Sequence, residues 1–259
     1  MDVIIYNLPY KLYFKGYILE SDINLFYSPR EKFFSEEALK IIENKWNELK
    51  NKSPSSEIYD GDLFELIDVK ENSGKLDLYF DYTKYRYTIA SRSKEYVKCV
   101  ENGDYSSNHI SIPTIIRTSD NKFPIGSDLK LKNNKPIWKF VGGYWEKSAL
   151  TIFDNVKKEC EEEIGLGNHI SDCKVLGIAS NNHATYIITF VDCSLTSEEI
   201  IEYLEKNREN ISDSSEMTKI NFIDLKYESI DNLINDDSIY LGGGTRFSLY
   251  SLKNNINNI

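Results

Sequence analysis

The sequence predicts a mixed α/β chain. A smaller α+β N-terminal module, residues 1–104, precedes a larger α/β domain, residues 105–259. Three observations carry this. Runs of alternating apolar residues interleave with runs whose apolar residues recur every three or four positions, the patterns of half-buried strands and amphipathic helices. The composition shifts at NGDYSSNH (102–109). The length of 259 residues exceeds one average domain and accommodates two of ordinary size.

Taken in order, residues 1–30 alternate short apolar pieces with turn residues and read as strands. Ser35, followed by Glu36 and Glu37, has the chemistry of an N-cap. The helix it opens, EEALKIIENKWNELK, places Leu39, Ile42, Trp46 and Leu49 on one stripe. SPSSEIYDGD (53–62) is turn-rich. LFELIDV (63–69) and KLDLYFDYTKYRYTIA (75–90) read as strands, with ENSG (71–74) closing a hairpin. RSKEYVKCVENGD (92–104) reads as a short helix ending near Gly103.

In the second part, strands are expected at 110–119, 135–142, 174–180, 185–193 and 219–225. Helices are expected at 149–164, 197–208 and roughly 245–254. Thr196 with Glu199 forms a capping-box pattern. The NNINNI tail reads as a frayed end.

Composition excludes several function classes. Thirty-one basic against 41 acidic side chains give a net charge of −10, which opposes a broad nucleic-acid or anionic-lipid surface. No apolar run approaches the roughly 20 residues of a membrane span. The start MDVIIYNLPYKLYF lacks the basic and small-residue signals of a secretory leader. The four cysteines show no CxxC spacing, which fits a reduced, cytoplasmic chain. His109, His169 and His183 are scattered and are expected on the surface or in loops.

The most informative stretch is GGYWEKSALTIFDNVKKECEEEIGLG (142–167). Leu150, Phe153, Val156, Cys160 and Ile164 lie at helical spacing and predict a buried stripe. Glu159, Glu162 and Glu163 stand at i, i+3 and i+4 and share another face. Their mutual repulsion costs a few tenths of a kcal/mol per pair, roughly, unless a divalent cation with oxygen ligands joins them. The alternative is a solvated acidic face. Gly165 is placed to end the helix.

KECEEEIGL (158–166) resembles the second half of the Nudix box, G-x5-E-x7-R-E-U-x-E-E-x-G-U with U apolar. Glu159, Glu162, Glu163, Gly165 and Leu166 fit, Cys160 takes the apolar position, and Lys158 replaces arginine. Gly142, Gly143 and Glu146 resemble a GG-x-x-E opening. The first half departs from the pattern, since Tyr144 and Leu150 fall where the first glycine and upstream glutamate belong. The loop therefore carries an extra residue and lacks that glutamate, which leaves open the brace that the resemblance implies between loop and helix.

This resemblance implies a Nudix α/β/α sandwich with a mixed sheet. It also implies hydrolysis of a nucleoside diphosphate derivative with magnesium, or manganese, as the cofactor. Glu159 and Glu163 become the main metal ligands and Glu162 a third, one of them alternatively positioning the water. The carbonyl of Gly142 or Gly143 is a further ligand, and Lys158 holds a glutamate.

The resemblance extends to the UDP-glucose pyrophosphatase group. It is carried by Leu176-Gly177-Ile178-Ala179, Asn181 and Cys193-Ser194-Leu195-Thr196-Ser197-Glu198. Upstream it is carried by Trp46, Phe64, Leu66, Leu76, Leu78, Thr83, Tyr85 and Arg86, with Glu65 where arginine is usual. It implies cleavage of UDP-glucose or UDP-galactose to UMP and a sugar 1-phosphate, with a nucleotide-sugar as the small-molecule partner. Paired arginines of that group are absent from KFPIGSDLK (122–130), where Lys122 or Lys130 would substitute.

Glu216 is expected as a base or extra ligand, or as a plain loop acid. Tyr85, Arg86 and Arg92 are candidates for substrate contact, or a wet strand face. Tyr144 and Trp145 flank a nucleobase or pack in the core. LGGGTRFSLY (241–250) holds phosphate with Arg246, or is a tight turn. Other diphosphates (ADP-ribose, a dinucleotide, an mRNA cap) and a non-catalytic nucleotide-binding domain remain competing readings. The sequence assigns no oligomeric state.

Overall fold

The computed structural model describes residues 1–52, 60–127, 130–182 and 184–259. Most of the turn-rich stretch 53–62, with His183, Asp128 and Leu129, lies outside the described residues. The chain opens with β1 (Asp2–Ile5), β2 (Leu8–Leu19) and β3 (Ile23–Tyr27), then α1 (Glu36–Lys52). A hairpin of β4 (Asp62–Asn72) and β5 (Lys75–Lys84) leads to α2 (Tyr85–Ser91) and α3 (Val97–Glu101). Next come β6 (Ile110–Ser111), β7 (Thr114–Arg117), β8 (Lys122–Ser127), β9 (Leu131–Lys132) and β10 (Lys135–Trp138). Helix α4 (Ile152–Ile164), β11 (Ile170–Ser180), β12 (Thr185–Cys193) and α5 (Ser197–Asn207) come after them. The chain closes with β13 (Lys219–Asp224), α6 (Tyr227–Ile234), β14 (Tyr240–Leu241) and α7 (Gly243–Asn255).

The principal sheet is mixed. Its order is β1-β2-β11-β12-β6, with β7 also on β12. β11 runs antiparallel to both of its neighbours, β2 and β12, whereas β6 and β7 lie parallel to β12. Pro113 divides the expected strand 110–119 into β6 and β7, because proline cannot donate to the ladder. One face of the sheet, through Val175, Ile178, Ile187 and Val191, packs on Val156, Cys160 and Ile164 of α4. The other face, through Leu176, Ala179, Ile188 and Phe190, packs on Phe247, Leu249 and Leu252 of α7. The α/β class expected from sequence is thus realised as helix, mixed sheet, helix.

Sheet membership corrects the division at residue 104. β1 and β2 belong to the principal sheet, and β2 hydrogen-bonds along β11 from Lys174↔Leu19 to Ser180↔Lys11. β11 is buried on both faces, so both of its edges need strand partners. Only β3, β4 and β5 form a separate N-terminal sheet. Even that sheet shares the main core. Phe64 stacks on Trp145 with centroids 4.1 Å apart, and its N–H donates to the Trp145 carbonyl at 2.8 Å.

Other departures have local reasons. The expected strand 75–90 ends at Lys84, and Tyr85 onward is helical. Tyr85 meets Trp46 edge-on and Tyr87 packs on Phe34, so docking on α1 overrides the β preference of the aromatic run. Leu39 is 50% exposed, and the buried stripe of α1 is Ala38, Ile42 and Trp46. Leu150 is 78% exposed because the helix begins after Thr151, one position beyond it. Strand β8 and helix α6 are not legible in the sequence, the first interrupted by Pro124 and the second lacking a side-chain cap.

His109 is fully buried rather than superficial. His169 is half-buried against Tyr203. The Asn-rich tail is anchored, since Asn255 donates to the Leu176 and Ser251 carbonyls.

Because the two parts share a sheet and a core, the chain should unfold as one unit. Far-UV circular dichroism and tryptophan fluorescence should report one coincident transition in urea. Two separated transitions would show that the parts fold independently.

Candidate active site

Helix α4 is fixed at both ends by its own sequence. Thr151 and Asp154 form a reciprocal capping box, with both bonds at 3.0 Å. Gly165 ends the helix at φ 68°, in the left-handed conformation. Val156, Cys160 and Ile164 face the sheet, which turns Glu159, Glu162 and Glu163 toward the segment Lys139–Glu146.

That segment packs against Ile112 on one side and the helix on the other more closely than side chains would permit. Gly142 adopts φ 142°, and a Cβ there would stand 2.1 Å from the Ile112 carbonyl oxygen. A Cβ on Gly143 would stand 2.5 Å from a carboxylate oxygen of Glu159. Gly142 N–H donates to Glu163 Oε1 at 3.3 Å, and Glu146 N–H donates to Asn155 Oδ1 at 3.4 Å. The glutamates are consequently not a solvated face. The Glu163 side chain is 3% exposed, and its Oε2 has no hydrogen-bond partner among the described residues.

Burial dominates the electrostatics. It pushes the Glu163 carboxyl up to about 8, against the pull of Lys139. It pushes Glu159 up to about 7, against Lys158 and reinforced by Glu162, Glu146 and Glu216. Glu162, more exposed, is raised in the same direction by the same cause.

Two lysines flank the group. Lys139 Nζ lies 3.8 Å from Glu163 Oε1 and contacts Glu216 closely. Lys158 Nζ reaches Glu146 Oε2 at 2.9 Å, Glu162 Oε2 at 3.8 Å and Glu159 Oε1 at 3.9 Å. The loop, whose tie to the helix the sequence left open, is thus held to α4 by Glu146, three residues after Gly143, through Lys158.

The structure brings Glu159, Glu163, Glu216 and Gly143 together, with Glu162 and Lys158 beside them. The Gly143 carbonyl accepts from Ile112 N–H at 2.9 Å, with a second lone pair remaining. Among the described residues, no three acidic, histidine or cysteine side chains converge as a ready-made metal cage. The donors nevertheless fit a hard divalent cation. They are all oxygen, one is orphaned in the interior, and burial disfavours their unneutralised charge.

The other candidates divide. Tyr85 and Tyr144 approach with centroids 5.6 Å apart. Arg86 instead binds Asp60 through its backbone and side chain and covers the Trp46 ring, tying α2 to the start of β4. Trp145 is core, donating Nε1–H to the Ala149 carbonyl at 3.0 Å. Arg246 donates to the Leu241 and Tyr6 carbonyls, which is the tight-turn reading of the glycine run. Lys122 pairs with Asp120 and donates to Ser197 Oγ, so it secures the start of α5.

Glu65 accepts from Tyr105 Oη and Asn108 N–H and pairs with Arg30. Sequence reasoning missed Lys139 and His109. Lys139 was visible only as a single cation three residues before Gly142, and nothing local gave His109 a role.

No protein-family model and no curated protein matches the chain. Among solved structures, it is similar to the MutT protein of Methanosarcina mazei Go1 at 15% identity and a TM-score of 0.37, over 56% of this chain and 92% of that one. It is also similar to a NUDIX hydrolase from Nitrosomonas europaea at 12% and 0.37, over 56% and 88% of the two chains. Tm1382, a putative Nudix hydrolase, matches at 11% and 0.40, over 80% of this chain and 95% of that one. These TM-scores are low, and the chemistry of the site rests on its own side chains.

The geometry sets two expected outcomes. Gly142→Ala must push a Cβ into the Ile112 carbonyl, and should destabilise the chain by about 2 kcal/mol or more in urea titration. Glu159 and Glu163 hold protons more tightly in the native chain than at their ordinary value of 4.5. Their contribution to stability is therefore full below that value and is lost as pH rises through about 7 and about 8. A bound cation must displace those protons and offsets the loss, so the rise in Tm given by magnesium should grow with pH across this window. A magnesium effect on Tm that ignores pH would contradict this.

Proposed function

We propose that the chain is a divalent-metal-dependent Nudix hydrolase that cleaves the diphosphate of a nucleoside diphosphate derivative, with UDP-sugars as the substrate class. The observation that carries the reading is the buried Glu163, with one carboxylate oxygen unpartnered, beside a largely covered Glu159 pressed against Gly143. A bare structural helix has no use for that arrangement, because the burial of unneutralised carboxylates is unfavourable.

Glu159 and Glu163, with Glu162 and the Gly143 carbonyl as further donors, would hold magnesium or manganese, which would supply charge neutralisation at the diphosphate. The chain's own residues do the rest. Gly142 N–H fixes one oxygen of Glu163. Lys158, clamped to Glu146, holds the exposed edge of the helix against the loop. Glu216, half-exposed at the rim, takes the proton of the attacking water as the bond from phosphorus to the bridging oxygen breaks.

The UDP-sugar preference rests on the resemblance of Leu176–Ala179 and Cys193–Glu198 to that group. The latter run also has a structural use, since Thr196 and Glu199 cap α5 reciprocally. No helix among the described residues is long and apolar enough to cross a membrane. The four free, buried cysteines suit the reducing cytoplasm, where we place the chain.

Purified protein with magnesium should release UMP from UDP-glucose or UDP-galactose faster than it cleaves ADP-ribose, a dinucleotide or a cap analogue, ranked by kcat/KM. Glu163→Gln should lower kcat at least about 100-fold with the fold intact by circular dichroism. Full activity in that variant would remove Glu163 from the metal site. Nucleotide binding without turnover in any divalent metal would make the chain a binding domain instead.

A further inference from the structure

Beside the carboxylates stands a second constellation that the metal chemistry does not use. His109 is fully buried and immobilised on both sides. Its backbone bridges to Glu65, and its carbonyl accepts from Thr185 N–H at 3.0 Å. Glu65 also accepts from the neighbouring Asn108 N–H. The imidazole Nε2 lies 3.1 Å from Arg92 Nη2. Arginine offers only donors, so Nε2 must be the acceptor and the ring proton must sit on Nδ1. Nδ1 has no partner among the described residues.

The histidine is thus a neutral acceptor with a fixed tautomer. Burial, helped by the Arg92 charge, holds it at about 3, far below its ordinary value. Leaving Nδ1–H unsatisfied in the interior is unfavourable, and the return on it is the fixed direction of one exposed guanidinium.

That guanidinium is aimed at the site. Arg92 Nη1 lies 3.5 Å from Tyr144 Oη, and the Tyr144 ring meets the imidazole edge-on at 4.5 Å. Tyr144 directly follows Gly143, whose backbone rests on the Glu159 carboxylate. Tyr85 adds a second ring beside Tyr144. On a chain of net charge −10, a fixed arginine flanked by two aromatic rings, one of them on the residue after the glycine that abuts Glu159, matches one ligand chemistry. Guanidinium forks take phosphate oxygens, and ring faces take a planar base.

We propose that Arg92, flanked by Tyr85 and Tyr144, binds the nucleoside phosphate half of the substrate, and that His109 is the residue that positions it. The inference rests on the pyrophosphatase reading and deepens it. The metal carboxylates engage the diphosphate from one side of Gly143, and Arg92 grips the nucleotide from the other. Arg86, on the same helical segment, is committed to Asp60 and plays no such part.

The test is calorimetric titration of the full chain with UMP in magnesium, alongside turnover of UDP-glucose. Arg92→Gln should weaken UMP binding about tenfold or more, raising KM more than it lowers kcat. His109→Leu, which removes the acceptor, should weaken UMP comparably. His109→Gln, whose amide oxygen can accept from Arg92, should restore binding to within about threefold of the parent. Nitrogen NMR should show the Nδ1-protonated tautomer of His109.

UMP binding unchanged in Arg92→Gln would overturn the inference. So would His109→Gln and His109→Leu weakening UMP equally while both keep the parental Tm. If His109→Leu fails to fold, Arg92→Gln and His109→Gln still decide. Turnover without any dependence on Arg92 would sink this inference and leave the pyrophosphatase reading standing. Arg92-dependent UMP binding without turnover would do the reverse.

Discussion

The close approach of the Gly142–Gly143 backbone to α4 is the contact on which the site depends. It takes Glu163 out of water with one oxygen unpartnered and leaves Glu159 largely covered. A side chain at Gly143 would collide with the Glu159 carboxylate, and one at Gly142 with the Ile112 backbone that seats the loop. The unfavourable burial is concentrated at two groups whose charge a cation can neutralise. It is supported by interactions that do not themselves need the cation, namely the capping box, Asn155 and the α4 stripe.

The lysines show how the chain manages negative charge in the meantime. Lys139 stands between Glu163 and Glu216, and Lys158 gathers Glu146, Glu159 and Glu162. The second of these also ties the loop to the helix. Here Glu146 reaches Lys158 from the loop itself, so Leu150 is left outside the helix and exposed. The ion pair is half-buried, and its value lies more in fixing the loop than in stability.

The site stands at a seam between parts of the chain distant in sequence. Tyr85 opens α2, directly after the N-terminal sheet, and Arg92 closes it. His109 comes from the entry to β6, and Tyr144 from the glycine loop. Phe64 and Trp145, stacked beneath, hold that seam shut. A cleft of about 610 Å³ lies elsewhere, lined by Trp138, Phe222, Asp224 and Leu233. It holds none of the site glutamates. Volume alone would therefore point away from the chemistry, whereas desolvated carboxylates and a fixed arginine point to it.

The sequence by itself determined what is local. The period of Val156, Cys160 and Ile164, the cap at Thr196, the stop at Gly165 and the i, i+3, i+4 glutamates depend on residues within two helical turns of one another. Helix α4, strands β11 and β12 and the α/β class were legible for that reason. Tertiary structure decided whatever depends on partners far away in the chain. β2 joins β11 because a doubly buried strand needs both edges filled. Tyr85 turns helical because Trp46 offers it a face, and Glu146 pairs with Lys158 because the loop brings them together. His109 becomes a buried acceptor because Arg92 arrives from another element. No spacing along the chain encodes these pairings, since the energy of each exists only once two remote segments exclude water between them.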